Sequence, residues 1–363
     1  FRNYSGASLR LDALSGLTVA LVLIPQSMAY AQLAGLPAYY GLYASFIPPA
    51  VAALFGSSRQ LATGPVAMAS LITASTLAGL APEGSDQYIM LALALALMVG
   101  VIRLIFGFLR LGVLVNFLSH PVVVGFTNAA ALIIATSQLE KLFGVSVERG
   151  VLHMHTVVMT VHAALEGMHT PTLLMACAAL GMLIALRIIV PRWPYVLIVV
   201  IVTSVAAWLF GYSGAIVGEI PRGLPSPSLP PFRPGMVPKL LMGALTVTLI
   251  GLMEAMSIAK AIAVKTRQRI DINQELIGQG LSNIAGSFFQ SYAVSGSFSR
   301  SAVNYMSGAK TGMSSVVTSV VVAVTLLFFT PLLYYLPQAT LAAIIMSAVV
   351  SLVRVNPITQ AWR

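Results

Sequence analysis

Ser295-Gly296-Ser297-Phe298-Ser299-Arg300-Ser301 is the stretch on which the reading of this chain turns, small and polar except for one ring and an arginine. It sits inside a sequence that otherwise reads as membrane-spanning. Small residues let a ligand approach the backbone closely, and the apolar Ala302, Val303 and Met306 that follow predict a helix from about Ser299. A helix N-terminus offers free N–H groups and partial positive charge to an anion. Arg300 adds a full charge, which at membrane depth is costly unless it faces a cavity or a partner. Read alone, the segment is equally compatible with an arginine that snorkels to water and serines that only cap a helix.

The surrounding composition decides the class. Of 363 residues 58% are hydrophobic and 8% charged, against about 25% charged in an ordinary soluble domain. The expected fold is therefore an all-α polytopic membrane protein, with room for about twelve helices at about 20 residues each. The first apolar run is a full-length span with no small-residue cleavage site, so no cleavable signal is expected. Cys177 is the single cysteine, which excludes an internal disulfide and a cysteine metal cluster. A net charge of +10 in such a chain points to basic loops on the cytoplasmic side rather than to nucleic acid.

Working outward, spans are expected at 13–35, with Pro25 and Gln26 inside, and at 38–56. Then Thr63-Gly64-Pro65-Val66-Ala67 opens a short helix, with Pro65 in its first turn, running to about Ala81. About 15 residues at about 1.5 Å each cannot cross a core of about 30 Å. Residues 57–64 are expected to complete the crossing as a buried extended segment. Further spans are read at 88–110, 112–138, 172–190 and 194–212. Residues 139–171 carry His153, His155, His162 and His169, but the spacing shows no convergent ligand set, and an amphipathic surface helix is expected there instead of a metal site. A proline-rich stretch from Pro221 to Pro238 divides the chain. Spans follow at 239–264, containing Glu254, and at 273–290. The opening stretch then starts a second short helix, ended by Ser307-Gly308, and spans near 312–331 and 338–354 complete the pattern.

With the N-terminus inside, twelve Lys and Arg residues fall on the inner side, while Lys141, Arg149, Arg222, Arg233 and Lys239 fall outside. An internal repeat supports the same topology. Leu17-Thr18-Val19-Ala20-Leu21 lies on Leu245-Thr246-Val247-Thr248-Leu249, which sets Gln26 on Glu254 and brings Thr63-Gly64-Pro65-Val66 beside Ser297-Phe298-Ser299-Arg300. Seven crossings between the copies invert the second, so the two short helices would point their N-termini at one another. Chance similarity between Leu- and Ala-rich segments is the competing explanation. The repeats are placed at 1–212 and 238–363, with an external linker at 213–237. Seven-plus-seven symmetry implies that two further helices are absent at the C-terminus.

Ala38-Tyr39-Tyr40-Gly41-Leu42-Tyr43 followed by Gly56-Ser57-Ser58-Arg59 resembles the signature of the sulfate permease (SulP) anion transporters, whose animal relatives include prestin and pendrin. Pro25-Gln26-Ser27-Met28-Ala29-Tyr30-Ala31, Thr63-Gly64-Pro65, Asn273-Gln274-Glu275-Leu276-Ile277-Gly278-Gln279-Gly280 with Asn283, and Ser297-Phe298-Ser299-Arg300-Ser301 resemble the same family. The resemblance covers the whole chain. It implies a core domain of helices 1–4 and 8–11, a gate domain of helices 5–7 and 12 onward, an elevator-like movement and a homodimer. It also implies a substrate site lined by Gln26, Tyr30, Val66, Ala67, Phe298, Ser299, Arg300 and Ser301. The cytoplasmic STAS domain that usually follows in the family is not in this chain. Lys is scarce beside Arg, a hint of a GC-rich bacterial source, and the expected location is the inner membrane.

Glu254 is an acidic residue deep in a span and so a functional candidate. It is expected to take up a proton with the anion, making the protein a symporter. A permanent ion pair with Arg300 or Lys260 is the structural alternative. Sodium-coupled bicarbonate uptake, with neighbouring hydroxyls completing an oxygen site, is another reading, as is an uncoupled exchanger or channel. Phe298 and Tyr30 pack around a ligand or simply fill core. A purine or pyrimidine permease would leave Arg300 without a task. No acid and nucleophile converge in the spans, so an enzyme is not expected. Neither is a cofactor or resident metal. The partners expected are a sulfate, bicarbonate or dicarboxylate-class anion, a coupling ion and the lipid bilayer.

Overall fold

The computed structural model describes residues 4–113, 120–147, 153–190, 193–230 and 234–352. Parts of the spans expected at 112–138 and 338–354, together with Arg149, Pro191, Arg192 and Arg233, lie outside the described residues.

Helix α1 (Gly6–Leu33) starts where Ser5 accepts the N–H of Ser8 and keeps Pro25 in its interior. The single span expected at 38–56 is instead two short helices, α2 (Tyr39–Tyr43) and α3 (Ile47–Phe55). The physical reason is Pro48-Pro49. Neither has an N–H for a carbonyl one turn back, so both fit only the first turn of a new helix. Strand β1 (Ala62–Gly64) is followed by α4 (Ala67–Leu77). Pro65, expected in the first turn of this helix, lies before it, because the backbone stays extended through Val66 (φ −138°, ψ 150°). At 11 residues α4 is about 16 Å long and spans only part of a bilayer.

Helix α5 (Asp86–Phe108) is capped by Ser85 and carries Asp86 in its first turn, where the helix dipole favours an anion. Then come α6 (His120–Ser137), α7 (Leu139–Phe143), α8 (His153–Gly167), α9 (Thr170–Ile189) and α10 (Tyr195–Leu209). The histidine-bearing segment forms α7 and α8. On α8, Met154, Val158, Val161 and Leu165 recur at helical spacing and are exposed. The second half of the chain opens with α11 (Val237–Thr266) and α12 (Ile272–Phe288), the latter capped by Asp271 through the N–H groups of Asn273 and Gln274. Strand β2 (Ser295–Ser297) runs directly into α13 (Phe298–Met306). Helix α14 (Met313–Val324) continues through a widened π turn to Leu333, and α15 (Gln338–Leu352) follows. Among the described residues five helical stretches are long and apolar enough to cross a membrane: Gly6–Leu33, Asp86–Phe108, Thr170–Ile189, Pro234–Thr266 and Met313–Leu333.

The chain divides into two compact units. The first, Phe1–Ser119 with Arg222–Phe328, holds α1–α5, both strands and α11–α14. Part of its core is a cluster of Leu61, Leu252, Ala255, Met256, Ile258, Ile262 and Leu276, which packs the lead-in to β1 between α11 and α12. The second unit, His120–Pro221 with Phe329–Arg363, holds α6–α10 and α15. There the segment after α10 is tied to the start of α15, with Val217 N–H donating to Leu336 O (2.9 Å) and Gln338 N–H to Ala215 O (2.9 Å).

Candidate functional site

The two interrupted segments meet. Strands β1 and β2 pair antiparallel, with Ala62 opposite Ser297, Thr63 opposite Gly296 and Gly64 opposite Ser295. Because the strands run in opposite directions, α4 and α13 leave the ladder at its two ends, each with its N-terminus toward the ladder. Every strand residue is buried, and backbone at membrane depth survives only where its polar groups are satisfied inside protein. The ladder satisfies part of them, and side-chain bonds brace it further. Gln279 Nε2 donates to Thr63 Oγ1 (2.6 Å), the N–H of Ala62 donates to Ser301 Oγ (2.8 Å), and Ser295 Oγ donates to Gly251 O (3.1 Å).

Loops on either side are anchored by carboxylates. Glu275 accepts the N–H groups of Ser57 and Ser58, both at 2.9 Å, fixing the approach to β1. Asp12 accepts the N–H groups of Lys310 (2.6 Å) and Thr311 (3.1 Å) and the hydroxyl of Thr311 (2.6 Å), fixing the exit from α13.

Within this frame Arg300 is fully buried, and none of its three side-chain nitrogens has a hydrogen-bond partner among the described residues. Its guanidinium lies against Gly64, where an added Cβ would come within 3.3 Å of Nη2. The φ of Gly64 is +156°, a value side-chain-bearing residues rarely adopt, so the backbone favours glycine there, and a Cβ would in addition crowd the guanidinium. Arg300 interacts electrostatically with Tyr30 on α1, Tyr292 before β2 and Glu254 on α11. Tyr292, also buried, shares a hydrogen bond with Ser70 on α4 (3.1 Å). Gln26 stands one turn before Tyr30, is buried, and has an Oε1 with no hydrogen-bond partner among the described residues.

The remaining candidates fall into two groups. Val66 is the residue before α4 and Ala67 its first, both buried. Val66 has no polar atom to cap with, and Ser297, in the equivalent place before α13, makes no capping bond either. Neither helix N-terminus is therefore closed by its own cap. Phe298 is 54% exposed and Ser299 is exposed, whereas Ser301 is buried and its hydroxyl is engaged in bracing Ala62. Glu254 is partly buried and lies within electrostatic reach of both Arg300 and Tyr30. A buried cation with open donors between two uncapped helix N-termini is complementary to an anion. Among the described residues no three of His, Cys, Asp and Glu are grouped to hold a metal ion.

Two contributors escaped the sequence reading. Tyr292 lies three residues ahead of the opening stretch, between it and the span expected at 273–290. Arg103 sits inside the apolar run of α5, is 1% exposed, and donates from Nη1 to Val294 O (2.9 Å) and from Nη2 to Val247 O (3.1 Å). A lone arginine in the last third of an apolar span, with no acid one turn away, was the available signal.

Comparisons with known proteins agree with this architecture. The sequence model of the Sulfate permease family matches residues 9–363. "Sulfate transporter 4.1, chloroplastic" of Arabidopsis thaliana is 42% identical over 367 residues, covering 98% of this chain and 53% of that protein. The chain thus spans about half the length of these curated relatives. The murine Solute Carrier 26 family member A9 anion transporter, solved in the inward-facing state, superposes with a TM-score of 0.90 at 27% identity, over 100% of this chain and 63% of that one. The transmembrane domain of a cyanobacterium bicarbonate transporter, BicA, superposes with a TM-score of 0.88 at 24% identity, over 97% and 91% of the two chains, a likeness of fold.

Proposed function

Since the chain belongs to the sulfate permease family, we propose that it is a secondary active transporter of a small anion of the sulfate, bicarbonate or dicarboxylate class, driven by proton symport. The observation that carries this reading is Arg300, buried near two uncapped helix starts with no side-chain nitrogen partnered among the described residues. The anion binds to that guanidinium and to the first N–H groups of α4 and α13. Gln26 contributes a neutral hydrogen-bonding group that does not over-stabilise the bound state, and Tyr30 and Phe298 pack around the ligand. Val66, Ala67, Ser299 and Ser301 form the small-residue walls that let the anion approach the backbone.

Coupling follows from charge balance. With Glu254 ionised, part of the field of Arg300 is cancelled; a proton on Glu254 restores it for the incoming anion. Proton and anion then bind and leave together. The unit that carries the site acts as the core and the second unit as the gate, in an elevator-like cycle. The protein works as a multi-pass inner-membrane homodimer with its N-terminus in the cytoplasm, an orientation supported by the distribution of Lys and Arg.

The experiment is uptake of radiolabelled sulfate, bicarbonate and succinate into proteoliposomes under a proton gradient, a sodium gradient or neither, for wild type and Glu254→Gln. Proton-driven accumulation that disappears in the variant is the expected result. Accumulation driven by sodium would move the coupling role to sodium-linked bicarbonate uptake. Equal transport under all three conditions would leave an exchanger or channel with Glu254 as a structural partner.

A further inference from the structure

The charge at the site does not come from Arg300 alone: we propose that Arg103 is a second, fixed cation whose field sets the preference of the site for divalent over monovalent anions. The inference rests on the anion-site reading above and goes beyond it to a residue that touches no substrate. Helix α5 carries Arg103 into the interior of the first unit, where it is 1% exposed. Its partners are two backbone carbonyls, Val294 O and Val247 O, and among the described residues no carboxylate is paired with it. Gly251 makes the reach possible, because a Cβ there would stand 2.3 Å from Nη2. Carbonyl dipoles orient a guanidinium but leave its net charge in place, and in a low-dielectric interior that charge is felt at distance.

The location gives the field a target. Val294 immediately precedes β2, and its peptide is gripped twice more, since its N–H donates to Asn283 Oδ1 (2.9 Å) and Asn283 Nδ2 donates to Val294 O (3.1 Å). Arg103 therefore sits behind the strand whose far end starts the helix bearing Arg300. Three strand residues span about 10 Å. At an effective dielectric of about 20, a unit charge at that range changes monovalent affinity roughly tenfold and divalent affinity roughly a hundredfold. A purely mechanical brace would act on both ions alike.

The test is binding of sulfate and of nitrate to the purified, detergent-solubilised protein by titration calorimetry, for wild type, Arg103→Gln, Arg103→Lys and Arg300→Gln, each first checked for a cooperative thermal transition. Arg103→Gln is expected to weaken sulfate about tenfold more than nitrate, and Arg103→Lys to restore most of the sulfate-to-nitrate ratio. Arg103→Met serves as the uncharged variant if Arg103→Gln does not fold. An unchanged ratio in the uncharged variant, or the same loss in Arg103→Lys, overturns the proposal. If Arg300→Gln also binds both anions as wild type does, the anion site itself is misplaced; if Arg300→Gln weakens both while the ratio ignores Arg103, only this inference fails.

Discussion

Residues 62–67 and 295–300 follow one plan, a three-residue buried strand leading to a short helix with no side-chain cap, yet they carry opposite chemistry. The first contributes Gly64, Pro65, Val66 and Ala67, which offer backbone and little else. The second contributes serines, a half-exposed ring and a buried cation. The difference is complementary: a side chain at Gly64 would press on the guanidinium of Arg300, from the other segment. Two copies of a backbone plan thus frame one candidate site, in which one stays bare where the other is loaded.

That division is open to direct attack. The largest effect is expected from Arg300→Glu, which replaces the cation with an anion facing two helix N-termini; anion uptake should fall by at least about a hundredfold, and transport near the wild-type level would sink the site assignment. Next comes Gly64→Ala, which both strains the backbone and presses on Arg300. Apparent anion affinity should drop about tenfold, on the order of 1.4 kcal/mol, in a titration in which the fold is retained. Unchanged affinity would show that the bare segment need not be bare.

Two further variants ask whether the frame can be loosened without touching the chemistry. Glu275→Gln gives up a charged acceptor for the N–H groups of Ser57 and Ser58 and should cost about 2 kcal/mol of stability, seen as a lower melting temperature. Thr63→Val leaves Gln279 Nε2 without its acceptor and should cost about 1 kcal/mol. Both should keep the wild-type affinity for the anion that is transported, whereas a large affinity loss in either would make the ladder part of the binding surface.

Much of this was legible in the sequence. The apolar spans, the short helices after Gly64 and Ser297, and the choice of Arg300 as a candidate all rest on local patterns that a window of residues contains. The pairing of β1 with β2 was not, because three-residue strands have no periodicity to read and the partners are far apart in the chain. The break in the second span was present as Pro48-Pro49 but was outweighed by the apolar run around it. Arg103 was hidden by its neighbours, since hydropathy averaging dilutes one charge among Leu, Ile and Val. Nothing local marks Asp12 or Glu275 for their roles, and only the fold shows that they hold loops from elsewhere in the chain.

The three-rung ladder also constrains how the protein is made. Ala62 waits for a bond from its N–H to Ser301, 239 residues downstream, so a ribosome has passed more than half of the chain before β1 acquires its partner. At about 5–20 residues per second that interval is on the order of ten seconds or more. Through it a stretch of backbone already threaded into lipid has no mate of its own. A chain halted before residue 301 would leave that edge open, and membrane quality control would meet it as an unfinished protein rather than as half of a working one.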